Sequence, residues 1–212
     1  MIFKIKKVED ESLQADYDRA MKKLNEFYGL NWTFGRPQVI LVPDRQTIND
    51  VWDKKSENWQ IGWVNGGITF ILENEAMKEN SCHRKKSPEE YYSLIKHELS
   101  HIFFRHLSKA NNGPKWFWEG VATYTSGQLA FQKPVTKFEK FLDSTDKMQL
   151  GLYEESGFAI ELLVKKYGKE KLLDLIKNLA SCPKNEDFIK KFEEIYHLPL
   201  NYDEFNNFLP KI

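Results

Sequence analysis

The chain holds only two cysteines among its 212 residues, Cys82 and Cys182, far apart and in no Cys-x-x-Cys pattern. Neither a disulfide framework nor a thiolate metal site is expected from them; free thiols are the expectation, with a single bridge left open. Charge bias is also missing. Lysine plus arginine and aspartate plus glutamate number 31 each, which gives no electrostatic reason to expect nucleic acid or an acidic membrane surface as a partner. Long apolar runs are absent too: residues 1–10 contain no apolar core of signal-peptide length and no later window approaches a membrane span, so a cytoplasmic location is expected. The length suits one domain, or one domain in two lobes, with a substantial core.

What the chain does have is the run His97-Glu98-Leu99-Ser100-His101. Two histidines four apart share one face of a helix, about one turn from each other, so their imidazoles converge on a single cation. Glu98, one residue past the first histidine, reaches a water on that cation and suits the work of a general base. This is the His-Glu-x-x-His pattern of zinc sites. The surroundings predict a helix from Tyr91 to His106: Pro88-Glu89-Glu90 opens it, Ile95, Leu99, Ile102 and Phe103 follow helical spacing, and no breaker comes before Asn111-Asn112-Gly113-Pro114. A charged helix face carrying two satisfied histidines is the alternative use of the same residues.

A catalytic zinc usually takes three protein ligands and keeps one position open. A second helix is predicted after Pro114, through Lys115-Trp116-Phe117-Trp118-Glu119-Gly120-Val121-Ala122-Thr123-Tyr124, and its one acid is Glu119, with 17 residues between it and His101. A lone carboxylate among aromatic residues is expensive to bury unless something pairs with it, and metal coordination would offset that expense. A carboxylate favoured by the helix N-terminus is the alternative.

Together, His97-Glu98-x-x-His101 and Trp116-x-x-Glu119-Gly120-x-Ala122-x-Tyr124 resemble the gluzincin metallopeptidases, in particular the thermolysin-like catalytic domain of aminopeptidase N relatives and smaller peptidase-MA-like proteins. The family's third zinc ligand is the glutamate of a Glu-Gly-x-Ala stretch, which implies Glu119 here; the aminopeptidase spacing is one residue longer. Tyr153-Glu154-Glu155-Ser156-Gly157-Phe158-Ala159 resembles the family's Tyr-Glu-x-Gly-Phe-Ala helix start with one extra residue, which makes Tyr153 the candidate hydroxyl that stabilises the oxyanion. A packed surface tyrosine is the other reading of Tyr153, and Tyr124 is a second candidate. The family also lays its substrate along a sheet-edge strand ahead of the zinc helix, a place that Ile68–Leu72 resembles; the residues equally suit an ordinary hairpin strand. The family's Gly-x-Met-Glu-Asn anchor for a free amine has no counterpart, because Val64 stands where the glutamate belongs. Aminopeptidase specificity is therefore not carried over, Glu73 and Glu75 remain as substitutes, and endo- or exopeptidase action is open.

Elsewhere, residues 11–28 place Leu13, Tyr17, Ala20, Met21, Leu24 and Tyr28 at helical spacing before Gly29, and Gln38–Val42 is a short apolar run that predicts a buried strand. Asp44 or Thr47 suits the cap of a short helix ending near Trp52. Asn65-Gly66-Gly67 predicts a hairpin turn. His83 falls in a polar loop, His106 points off the metal face, and His197 suits a helix C-terminus; none is expected to bind metal. The segment from Gly127 to Leu150 has an apolar side that suits a helix or a lid. Leu152, Phe158, Leu162 and Val164 are expected in the core, as are Leu172, Leu175, Ile176, Phe188, Phe192 and Ile195 of three further helices over residues 169–180, 185–197 and 202–208.

The resemblance implies an α+β fold, a zincin or thermolysin-like catalytic domain with a small N-terminal mixed sheet, helices and the zinc helix in residues 1–110 and a helical sublobe in residues 111–212. It implies one zinc per chain on His97, His101 and Glu119, Glu98 as general base, Tyr153 at the oxyanion, and a peptide or protein as substrate. A non-catalytic zinc-containing module that binds peptide without cutting it is the alternative; the retained Glu98 speaks against it. Nothing in the sequence sets the oligomeric state.

Overall fold

The computed structural model describes residues 2–142 and 150–209. Among these residues the protein is α+β, with nine α-helices and one three-stranded mixed sheet. Among them, no helix is long and apolar enough to cross a membrane. The chain divides into two compact units, one ending at Leu99 and the next starting at Ser100, and the division falls inside one continuous helix.

The first unit begins with α1, Glu11–Tyr28, whose N-terminus is closed by the Asp10 carboxylate accepting the N–H groups of Ser12 and Leu13, and whose last turn ends at Gly29 in the left-handed region. The face carrying Ala20, Met21, Leu24 and Tyr28 is buried, which is the face that apolar spacing predicts. Strand β1, Gln38–Val42, follows, then helix α2, Arg45–Trp52, where Asp44 and not Thr47 provides the cap through a 2.7 Å bond to the Thr47 N–H. Strands β2, Gly62–Asn65, and β3, Ile68–Leu72, form the expected hairpin, with Gly66 and Gly67 both at positive φ. A short helix α3, Met77–Asn80, leads toward α4, Pro88–Leu107.

The sheet order is β1-β3-β2, with β1 parallel to β3 and β2 antiparallel to it. This corrects the expectation that Ile68–Leu72 lies at the sheet edge: β3 is paired on both sides, so its backbone groups are already spent in ladders, and among the described residues the outer strands are β1 and β2. Within this unit Tyr91 of α4 donates its hydroxyl to the Leu72 carbonyl at 3.2 Å, and Ile71, Leu72, Met77, Ile95 and Leu99 are buried. The start of α4 is a capping box: Ser87 N–H reaches the Glu90 carboxylate at 2.9 Å while the Glu90 N–H points back at the Ser87 hydroxyl. The carboxyl of Glu90 is held down at about 2, first by that Ser87 N–H and then by Arg84.

The second unit contains the end of α4 and helices α5, Lys115–Ser126; α6, Leu150–Tyr167; α7, Lys169–Asn178; α8, Asn185–Tyr196; and α9, Tyr202–Asn207. Its core is aromatic: Trp116, Phe117, Phe138, Phe141, Phe188, Phe192 and Phe205 are all buried. Leu172, Leu175 and Ile176 join them as expected, whereas Ile195 is only half-buried and Tyr196 takes the inward place. In α6 the buried large apolar residues include Leu152, Ile160 and Leu163, while Phe158, Leu162 and Val164 are half-buried. The reason is the small pair Ser156-Gly157, which turns its own face of α6 against α5.

The described part of the segment expected as a helix or lid is neither. After a 3-10 turn over Gln128–Phe131, residues 132–142 run without regular structure and are tied inward. Phe138 and Phe141 are fully buried, the Phe138 N–H donates to Asn206 at 2.7 Å, and the Leu142 N–H donates to the Tyr202 hydroxyl. The rest of that expectation, residues 143–149, lies outside the described residues.

Candidate metal centre

His97 and His101 stand one turn apart on α4, an uninterrupted helix, so the helix alone fixes their spacing. Glu119 comes from the first turns of α5. One ligand atom from each of His97, His101 and Glu119 lies within 4.8 Å of the others. His101 Nε2 and Glu119 Oε2 are 3.5 Å apart, close to the separation of about 3.3 Å that two ligands on one tetrahedral zinc would show. Both histidines are buried, and Glu119 is largely so. Two imidazoles and one carboxylate at this separation fit zinc by donor type and by geometry.

Two glycines let α5 and α6 approach. A Cβ at position 120 would sit 2.6 Å from the Ser156 carbonyl oxygen, and one at position 157 would sit 2.6 Å from the Thr123 methyl. Both contacts are far inside van der Waals range, so only glycine permits this packing. The consequence is chemical: α6 brings Tyr153 beside Glu119, and the phenol donates to Glu119 Oε1 at 3.4 Å. Tyr124, the other candidate, lies beside Glu161 and Lys165 of α6, and burial raises its pKa. On the other side of α5, Thr125 and Ser100 share a 2.7 Å hydroxyl contact that fixes α5 against α4.

Glu98 is buried, and its carboxylate rests on the backbone of β2, where a Cβ at position 62 would lie 2.5 Å from Oε1. Lys96, just before the ligands, has its pKa lowered by burial and then by Lys23 and Arg19 of α1. The remaining histidines are not in the cluster. His83 bonds the Trp59 carbonyl at 3.0 Å and burial lowers its pKa, while His197 ends α8 in the left-handed region. Glu75 pairs with Lys85. Both cysteines are free, Cys82 exposed and Cys182 buried.

Three features were not read from the sequence. Trp118 stacks on the His101 imidazole, with ring centroids 4.1 Å apart. Gly62 makes room for Glu98. The third is Glu155, buried, whose Oε2 accepts three successive N–H groups, from Glu139, Lys140 and Phe141, at 3.1, 2.9 and 3.1 Å. The run Trp116-Phe117-Trp118 and the acid beside Ser156-Gly157 were visible, but their partners lie elsewhere in the chain.

Comparison with known proteins yielded no matching family model and no match among curated proteins.

Proposed function

We propose that this chain is a zinc-dependent peptidase of gluzincin type, with a zincin-like catalytic domain. The observation that carries the reading is the convergence of His97, His101 and Glu119 within 4.8 Å, two of them buried and all three from the motifs that define the resemblance. A zinc ion held there supplies Lewis acidity and a water whose pKa falls toward neutrality. The chain's own residues do the rest.

Glu98 follows His97 in the motif and, as general base, would take a proton from the attacking water and return it to the leaving amine. Tyr153, whose phenol donates to Glu119 Oε1 at 3.4 Å, would turn that O–H to the charge that develops on the carbonyl oxygen. The outer strand β2, beside Glu98, would pair its backbone with an extended peptide, which gives affinity without reading side chains.

That outer strand equally favours a non-catalytic module that captures an extended segment. One experiment separates the two. Zinc content is measured for wild type, His101→Ala, Glu119→Ala and Glu98→Gln, and each is tested against a peptide library. The peptidase reading expects about one zinc per chain in wild type and Glu98→Gln, loss of zinc in the other two, and cleavage by wild type alone. Zinc with peptide binding but no cleavage by wild type would establish the module instead, and zinc retained without Glu119 would end the gluzincin reading.

A further inference from the structure

We propose that Trp118 is a positioning residue for the metal centre, holding the His101 imidazole in the orientation a metal ion needs before the ion arrives. The proposal rests on the reading of His97, His101 and Glu119 as zinc ligands. Its basis is geometric: the indole and imidazole lie face to face, with centroids 4.1 Å apart and planes within 14° of parallel. Trp118 is itself held. Phe104 of α4 meets it edge-on at 5.1 Å and 85°, and Phe104 in turn meets Phe117 edge-on at 5.8 Å.

The torsion that turns an imidazole about its Cβ–Cγ bond is broad and two-fold, so a histidine left to itself samples many ring planes. An indole wedged by Phe104 has one plane, and a ring stacked on it is restricted to nearly the same one. That plane keeps His101 Nε2 facing Glu119 Oε2, 3.5 Å away. Trp118 and Glu119 are neighbours on α5, so the helix that carries the carboxylate also carries the wall that orients its histidine partner. Metal sites usually orient a histidine through a hydrogen bond to its other ring nitrogen. Here the ring face supplies a constraint of its own. Loading strengthens it, because an imidazole bound to a dication is electron-poor and the indole face is electron-rich, the attraction that also drives cation–π pairing.

The test compares wild type, Trp118→Leu and Trp118→Phe for zinc affinity, by competition with a chromophoric chelator, and for the change in tryptophan emission on adding zinc. Trp118 is only half-buried, so its replacement leaves the core intact. Leucine keeps bulk and loses the stack, and the expected result is zinc binding weaker by about tenfold or more. Phenylalanine still stacks and is expected to restore most of the affinity, while the zinc-dependent emission change of wild type disappears with the indole. Affinity unchanged in Trp118→Leu, phenylalanine as weak as leucine, or an emission change that persists in Trp118→Phe would each overturn the proposal. If Trp118→Leu does not fold, the emission of the phenylalanine variant still decides. A wild type that takes up no zinc would end the zinc reading itself, before any Trp118 variant is compared.

Discussion

The Glu98 carboxylate is seated against the backbone of Gly62, so closely that a side chain at position 62 would begin 2.5 Å from Oε1. The proposed general base takes up the space that a side chain at position 62 would fill. Gly62→Ala is expected to displace the carboxylate while leaving the ligands alone. A shift of about 1 Å in a reacting group lowers a rate on the order of a hundredfold. Steady-state kinetics beside zinc content check it: hydrolysis falls and metal stays. Undiminished turnover would show that Glu98 moves aside at no expense.

Tyr153 is expected to act on the chemical step. If the proposed role holds, its replacement by phenylalanine removes one hydrogen-bond donor from the developing oxyanion and lowers kcat by about 10²- to 10³-fold with little change in KM. Zinc content is expected to be unchanged, since the phenol bonds Glu119 only at 3.4 Å. A variant that loses zinc and keeps kcat per bound metal would assign Tyr153 to the ligand instead.

Glu155 is expected to matter for stability and not for metal. Its buried oxygen satisfies three N–H groups of residues 139–141, and Glu155→Ala leaves them without an acceptor. A destabilisation of about 3 kcal/mol in denaturant unfolding is expected. A change below about 0.5 kcal/mol would mean that water takes the place of the carboxylate.

Glu90 predicts a pH dependence. Its folded pKa is depressed to about 2, chiefly by the Ser87 N–H and then by Arg84, so its stabilisation is fully present at neutral pH and is lost as pH falls from the usual carboxylate range toward about 2. In metal-free protein, Glu90→Gln is expected to lower the urea midpoint relative to wild type at about pH 7 and to narrow the gap at about pH 3. A gap that stays constant across that range would remove Glu90 ionisation from the stability of α4.

What the sequence by itself determined is local. A helix places residues four apart on one face whatever surrounds it, so the juxtaposition of His97 and His101 and the position of Glu98 follow from five letters. Capping works at the same range: the Asp44 cap acts within a single turn, and Gly66-Gly67 turns a hairpin through φ values that only glycine adopts easily. The tertiary structure decided everything that depends on which elements meet. The order β1-β3-β2 made Ile68–Leu72 a central strand, because hydrophobic alternation reports a buried face but not a neighbour. The contact between Tyr153 and Glu119 required α5 and α6 to close on Gly120 and Gly157, two glycines whose motifs carried no sign in the sequence of a close approach between helices. Trp118 on His101 and Glu155 on residues 139–141 join side chains to partners 14 or more residues away. Spacing along the chain carries no record of such pairings; they exist only once close packing selects them.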